Sequence, residues 1–169
     1  MLKYEQEDAR NILERASARE TAIRVAAGEI YRGYLQELGV EVSGFVREIC
    51  GVKDEKVYPF TMLSNAKSSQ VGMLDKVLEE KAVQKITALR EAGDTAGGVV
   101  EIRVKGLKSG FGSMMTYAQK LDARLAQGLM SIQAVKGVEF GEGFACAKKS
   151  GREVHDELFY DEQKGYYRE

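Results

Sequence analysis

Histidine is nearly absent from this chain: His155 is the only one. It lies in the polar stretch Val154-His155-Asp156-Glu157 near the tail. That setting reads as a surface histidine, against the competing reading of a general acid or base. No Ser-His-Asp order, phosphate-loop glycine pattern or paired-cysteine motif occurs. Cysteine is scarce too. Cys50 and Cys146 are far apart in no metal-like spacing, which reads as two buried or half-buried thiols in a reducing cytosol, with no metal site. No apolar run reaches the 18 residues or so of a membrane span. The first ten residues, MLKYEQEDAR, are charged and lack an apolar signal core, so a cytoplasmic protein is expected. Net charge is −1, so nothing suggests a general polyanion or membrane-surface binder, although basic residues could still cluster locally, and neither nucleic acid nor membrane is expected as partner. Internal repeats and low-complexity segments are also missing.

What is present is ordinary globular material, 44% apolar and 30% charged over 169 residues. That length suits one domain able to bury a core without staples. The single proline, Pro59, leaves residues 5–38 free for helix, with Ile12, Leu13, Ala16, Ile23, Ala26, Ala27, Ile30 and Leu35 near the spacing of a buried stripe. Gly39 suits its C-terminal cap, and close helix packing would explain Gly28 and Gly33. Residues 40–50 alternate as a strand. Residues 51–69 read as a connection with a short strand near Val57. A helix is expected over 75–92, ended by Gly93-Asp94. A strand over 97–104 carries Val100, Ile102 and Val104 on one face and Glu101 and Arg103 on the other. After a turn region at 105–112, a helix follows over 115–132. Short strands are expected over 135–140 and 144–148, then a loop with a frayed strand. The expected class is α+β, helices packed against antiparallel β-sheet.

Arg15 and Arg19 stand four apart in the first helical segment, with Arg24 about a turn further on. Like charges at that spacing cost a helix roughly 0.2–0.5 kcal/mol. Two readings follow: a solvated face neutralised by Glu14 and Glu20, or a carboxylate or phosphate gripped by the planar guanidinium forks.

Three blocks carry a family likeness. Arg15-Ala16-Ser17-Ala18-Arg19-Glu20-Thr21-Ala22, followed by a small-residue helix, resembles the chorismate synthase segment Arg-(Ser/Ala)-Ser-(Ala/Gly)-Arg-Glu-Thr-Ala. Ser131-Ile132-Gln133-Ala134-Val135-Lys136-Gly137-Val138-Glu139, within the stretch 119–144, resembles that family's Ser-Ile-Asn-Ala-(Val/Phe)-Lys-Gly-Val-Glu. Residues 93–101, GDTAGGVVE, resemble a third block, whose glycine pair reads as a tight turn or close backbone approach. The likeness runs from about Tyr4 to Arg168. Gly72 departs from it where arginine is common, Leu107-Lys108 replaces a valine-proline turn, and Glu29 and Gly128 replace small helix formers.

The resemblance implies the family's β-α-β sandwich, here incomplete, as one partial domain over residues 1–169. It implies reduced flavin mononucleotide (FMN) as cofactor, bordered by Arg15, Ala16, Ser17, Gln133 and Ala134. It implies substrate contact at Arg19, the substrate being 5-enolpyruvylshikimate 3-phosphate. The usual asparagine or proline is glutamine at 133, a change of little weight if the flavin contact is main-chain. The implied reaction is the anti-1,4-elimination that gives chorismate in the shikimate pathway of aromatic amino acid biosynthesis. NADPH, a cytoplasmic setting and a homotetramer come with it. The family's catalytic histidines belong to segments before Lys3, and an Asn-x-x-Gly-Gly loop with further flavin-phosphate contacts to segments after Arg168. The chain therefore reads as a fragment or split-gene piece, nearly inactive alone and prone to self-association or a complementing chain. The alternatives are a non-catalytic module of the same fold that only associates with partners, and a general flavin or nucleotide binder.

Overall fold

The computed structural model describes residues 2–16, 19–108, 110–163 and 165–167. The chain divides into two compact units, one of residues 1–21 with 112–169, the other of residues 22–111.

In the second unit β1 (Glu41–Ile49) lies at the centre of a three-stranded antiparallel sheet, flanked by β2 (Val52–Lys53) and β3 (Gly98–Lys105). Two residues, Cys50 and Gly51, join β1 to β2, with φ of 52° and 69°. Positive φ at both positions gives the turn a twist matching that of the strands. Val42 faces Val104, Gly44 faces Ile102 and Val46 faces Val100, while Ser43 faces Arg103 and Phe45 faces Glu101. Paired residues share a face, so the sheet has an apolar side and a mixed side.

The mixed side holds one core cluster. Phe45, Tyr58, Leu63 and Ala66 are buried there, with Phe60 and Leu74 against them. A 3-10 segment, Phe60–Ser68, supplies Leu63 and Ala66. Phe45 and Tyr58 meet edge-on at 5.7 Å between ring centres, a favoured aromatic geometry. A bulge between Val46 and Glu48 contains Arg47, whose guanidinium donates to the carbonyls of Asp54 (2.8 Å) and Lys56 (2.7 Å) and to the Glu101 carboxylate. Arg103 grips the same carboxylate and the Tyr58 carbonyl. Burial, the largest influence on Glu101, pushes its pKa up, but the two arginines outweigh it and leave it below the usual value. The Tyr58 hydroxyl donates to fully buried Asp54 at 2.6 Å.

The second cluster joins Val52, Met73 and Ala82, with Val46, Ile49, Val71 and Leu78 around them. Helix α3 (Lys76–Glu91) contributes Leu78 and Ala82. Asp75 caps it, accepting from the N–H groups of Val77 and Leu78. The preceding loop is tied down by Glu79, which accepts from the Ser69 hydroxyl and the Gln70 N–H, while the Lys76 ammonium holds its other oxygen. Gly72 has φ 77°, and a Cβ there would lie 3.1 Å from Val46 Cγ2. The local chain thus favours glycine at the site where arginine is common in the likeness.

The α+β class and the antiparallel sheet agree with the expectation, as do the helix at 75–92 and the strands at 40–50 and 97–104. The glycine-pair reading holds at Gly98, where a Cβ would meet the Glu48 carbonyl oxygen at 2.6 Å. Both cysteines are free and half-buried, and His155 is exposed.

Several expectations need correcting. The first helical segment forms α1 (Arg10–Ala16) and α2 (Arg19–Glu37), and its stripe is not a core face. No described residue of α2 is buried, with Ile23 73% and Ile30 75% exposed. A Cβ at Gly28 or Gly33 would meet nothing within 4 Å, so close packing does not explain them. The two faces of β3 divide as expected, but the apolar one is the wetter. Val100 is 64% exposed, whereas Glu101 and Arg103 are half-buried under the arginine network. No strand forms near Val57, over 135–140 or over 144–148; residues 143–148 are 3-10 turns.

In the first unit no described residue is buried. The expected helix at 115–132 starts later, as α4 (Leu121–Met130), after a 3-10 turn at Tyr117–Gln119. A short α5 (Gly151–Val154) carries a capping box from Ser150 and Glu153. The tail forms a hairpin, β4 (Phe159–Asp161) with β5 (Gly165–Tyr167), on cross-strand pairs Phe159–Tyr167 and Tyr160–Tyr166.

Candidate functional site

The residues singled out from sequence lie at two places in the first unit. Arg15 and Ala16 end α1, and Arg19 opens α2. All three are exposed. Ser17 lies outside the described residues. Gln133 and Ala134 form the turn after α4: Ser131 caps that helix, and the Val135 N–H returns to the Ile132 carbonyl at 3.3 Å.

Gln133 joins the two places. Its side-chain N–H donates to Glu20 Oε2 at 2.8 Å and to the Arg15 carbonyl at 3.4 Å. Its carbonyl oxygen accepts from the Thr21 hydroxyl at 3.3 Å. One half-buried amide therefore spans from the end of α1 to the first turn of α2. Sequence reasoning missed this, because it weighed position 133 only for its main chain. The signal was the glutamine itself, whose extra methylene gives the amide reach that asparagine lacks.

Ala134 has φ 69°, a left-handed conformation uncommon for a residue with a Cβ. Such backbone costs about 1–2 kcal/mol and tends to occur where a site demands it. The turn presents a small, exposed side chain. Ala16 is similarly small and exposed.

Charge placement is asymmetric. Arg15 sits in the last turn of α1, where the helix dipole favours a cation. Arg19 sits at the first position of α2, where the helix dipole favours an anion instead. Glu20 offsets part of that in the same turn. An anionic ligand beside Arg19 would be served by both the guanidinium and the helix end. Among the described residues no cluster of histidine, cysteine or carboxylate side chains could hold a metal. No described helix is long and apolar enough to cross a membrane.

The sequence family described as chorismate synthase matches residues 1–167. The chain belongs to the chorismate synthase family. It is 49% identical over 170 residues to a chorismate synthase of Oceanobacillus iheyensis, an alignment covering 99% of this chain and 44% of that protein. To the chorismate synthase of Geobacter sulfurreducens it is 47% identical over 176 residues, covering 99% of this chain and 45% of the other. A solved structure, titled a crystal structure of chorismate synthase, superposes with a TM-score of 0.91 at 38% identity, covering 99% of this chain and 53% of that one. The chain thus spans slightly under half the length of these curated chorismate synthases, consistent with a fragment.

Membership in the chorismate synthase family accounts for the order of the three sequence blocks. The solved chorismate synthase agrees with the helix and antiparallel-sheet architecture described above.

Proposed function

We propose that this chain is the central part of a chorismate synthase, a carbon–oxygen lyase acting on phosphate. The whole protein would convert 5-enolpyruvylshikimate 3-phosphate to chorismate with reduced FMN. The observation that carries this reading is the Gln133 amide, which joins two of the family's sequence blocks more than a hundred residues apart, reaching Arg15 and Glu20 from a position the resemblance gives to flavin.

The residues present suit both ligands. Ala16 and Ala134 would offer small, exposed side chains to a flat ring system, and Arg15 would offer a cation. Ser17 joins this set by its place in the motif. Arg19, at a helix N-terminus, suits a substrate carrying one phosphate and two carboxylates. In the elimination the C–O bond to phosphate breaks, phosphate leaves with the electron pair, a ring hydrogen is lost and a C=C bond forms. Reduced flavin, when bound, supplies the electron-rich ring that assists this departure, with no net redox change. The part taken by these residues is to hold the anions in place and offset their charge as phosphate leaves. No proton-transfer role is assigned to any residue here.

Residues 1–169 form one partial domain on this reading. The exposed apolar side of β3 and the exposed stripe of α2 invite a complementing chain or self-association. A cytoplasmic homotetramer, with NADPH behind the flavin's reduction, completes the proposal. The test is to co-express the chain with the flanking segments of a relative and assay phosphate release from the substrate. Release that requires reduced FMN is expected from the complex. The chain alone should be slower by at least about 10²-fold, the lower cost of one missing acid–base group. A folded complex that releases no phosphate would leave a non-catalytic module.

A further inference from the structure

We propose that Gln133 is a positioning residue that couples the flavin turn to the arginine junction, so that the two ligands are bound cooperatively through it. The inference rests on the functional reading above for the identity of the ligands, but the tie itself is geometric.

The turn Ile132–Val135 has an internal hydrogen bond that is long at 3.3 Å and a left-handed alanine, and no described residue of its unit is buried. Packing therefore does little to hold it, and side-chain hydrogen bonds carry more of the load. Gln133 makes three such contacts, to the Arg15 carbonyl, the Glu20 carboxylate and the Thr21 hydroxyl. The bond to Glu20 is charge-assisted and the shortest of the three, which makes it the strongest.

These partners are the Arg15 carbonyl near the end of α1 and two side chains in the first turn of the helix that Arg19 opens. An anion drawn to Arg19 settles that turn, and a settled Glu20 and Thr21 in turn hold the Gln133 amide. Its backbone neighbour Ala134 is then fixed in the conformation that meets the flavin. Each ligand thus lowers the ordering cost of the other. Asparagine, one methylene shorter, does not span the same three partners from the same backbone position.

The test compares native chain with Gln133→Ala, Gln133→Asn and Gln133→Glu. The first readout is hydrogen exchange at the amides of residues 20–22 and 134–135, with strand 41–49 as an internal control. In Gln133→Ala both site segments should lose protection together while the strand keeps it. Unchanged protection at both would overturn the tie. Gln133→Glu places a carboxylate against Glu20, so its protection should be poor at neutral pH and recover in acid, when a carboxyl proton can bridge the pair. Failure to recover would count against the hydrogen-bonded link.

The second readout is the affinity for reduced FMN with and without 5-enolpyruvylshikimate 3-phosphate. The substrate-induced gain should fall roughly tenfold in Gln133→Ala, about what losing one charge-assisted hydrogen bond removes. An undiminished gain would overturn the coupling. Both affinities are measured on the chain co-expressed with the flanking segments of a relative; should that complex bind no flavin, the functional reading falls, while the exchange data still decide whether Gln133 ties the two segments.

Discussion

Replacing Glu79 by glutamine should cost the second unit about 2 kcal/mol at neutral pH, and the cost should vanish in acid. Glu79 is buried, its side chain only 9% exposed. It accepts from Ser69 Oγ at 2.7 Å and Gln70 N at 2.6 Å, with Lys76 Nζ at 2.9 Å. The Lys76 ammonium first, then the Ser69 hydroxyl and the Gln70 amide, hold its pKa down from 4.5 to about 2, against the opposing effect of burial. At about 1.4 kcal/mol per tenfold change in proton affinity, that depression corresponds to at most about 3.5 kcal/mol. Lys76 is 67% exposed, so solvent screens its share and about 2 kcal/mol remains. The consequence spreads, because Ser69 Oγ also accepts from the Met73 N–H at 2.9 Å, and Met73 is 1% exposed in the core. The folded-state pKa is the lower one. The stabilisation is therefore complete above the ordinary carboxylate range and is lost as pH falls through it towards about 2. Urea unfolding of native chain and Glu79→Gln, followed by circular dichroism across that window, measures the difference directly. Equal stability at neutral pH, or a gap that persists at the acid end, would refute the reasoning.

Two further substitutions probe backbone constraints. Gly98→Ala places a methyl 2.6 Å from the Glu48 carbonyl oxygen, so β3 must shift on β1. A loss of 1–3 kcal/mol is expected, of the order of overpacking, and an unchanged urea midpoint would contradict it. Ala134→Val should disfavour the left-handed turn at φ 69° by about 1 kcal/mol or more, whereas Ala134→Gly should be tolerated. Exchange rates at Val135 check both, and equal rates in the two variants would contradict the claim.

Much of the second unit was legible because its signals are local. An apolar-periodic run over 75–92 closed by Gly93-Asp94 marks a helix, and alternation around Phe45 marks a strand. The hairpin at Cys50-Gly51 was not, since cysteine is an unusual occupant of a left-handed turn position and only Gly51 signalled it. The tail hairpin was hidden because its strands are three residues each. The apolar stripe of α2 was read as a core face, and periodicity alone says only that a face is apolar, not that this chain covers it. A chain spanning 44% of a relative's length can carry faces whose cover lies in the remainder. For the candidate site, motif order singled out two segments, but not the side chain that joins them. The part played by Gln133 depends on three partners brought together by tertiary structure, which spacing does not reveal.

The central claim is that Arg15, Arg19 and the turn at Gln133–Ala134 make a joint site for flavin and substrate. Titrating the chain, co-expressed with the flanking segments of a relative, with reduced FMN, with and without 5-enolpyruvylshikimate 3-phosphate, tests it most directly, alongside Arg19→Ala. The account predicts flavin binding that tightens when substrate is present, with the tightening lost in Arg19→Ala. Flavin binding indifferent to substrate, or a native response retained in Arg19→Ala, would contradict it.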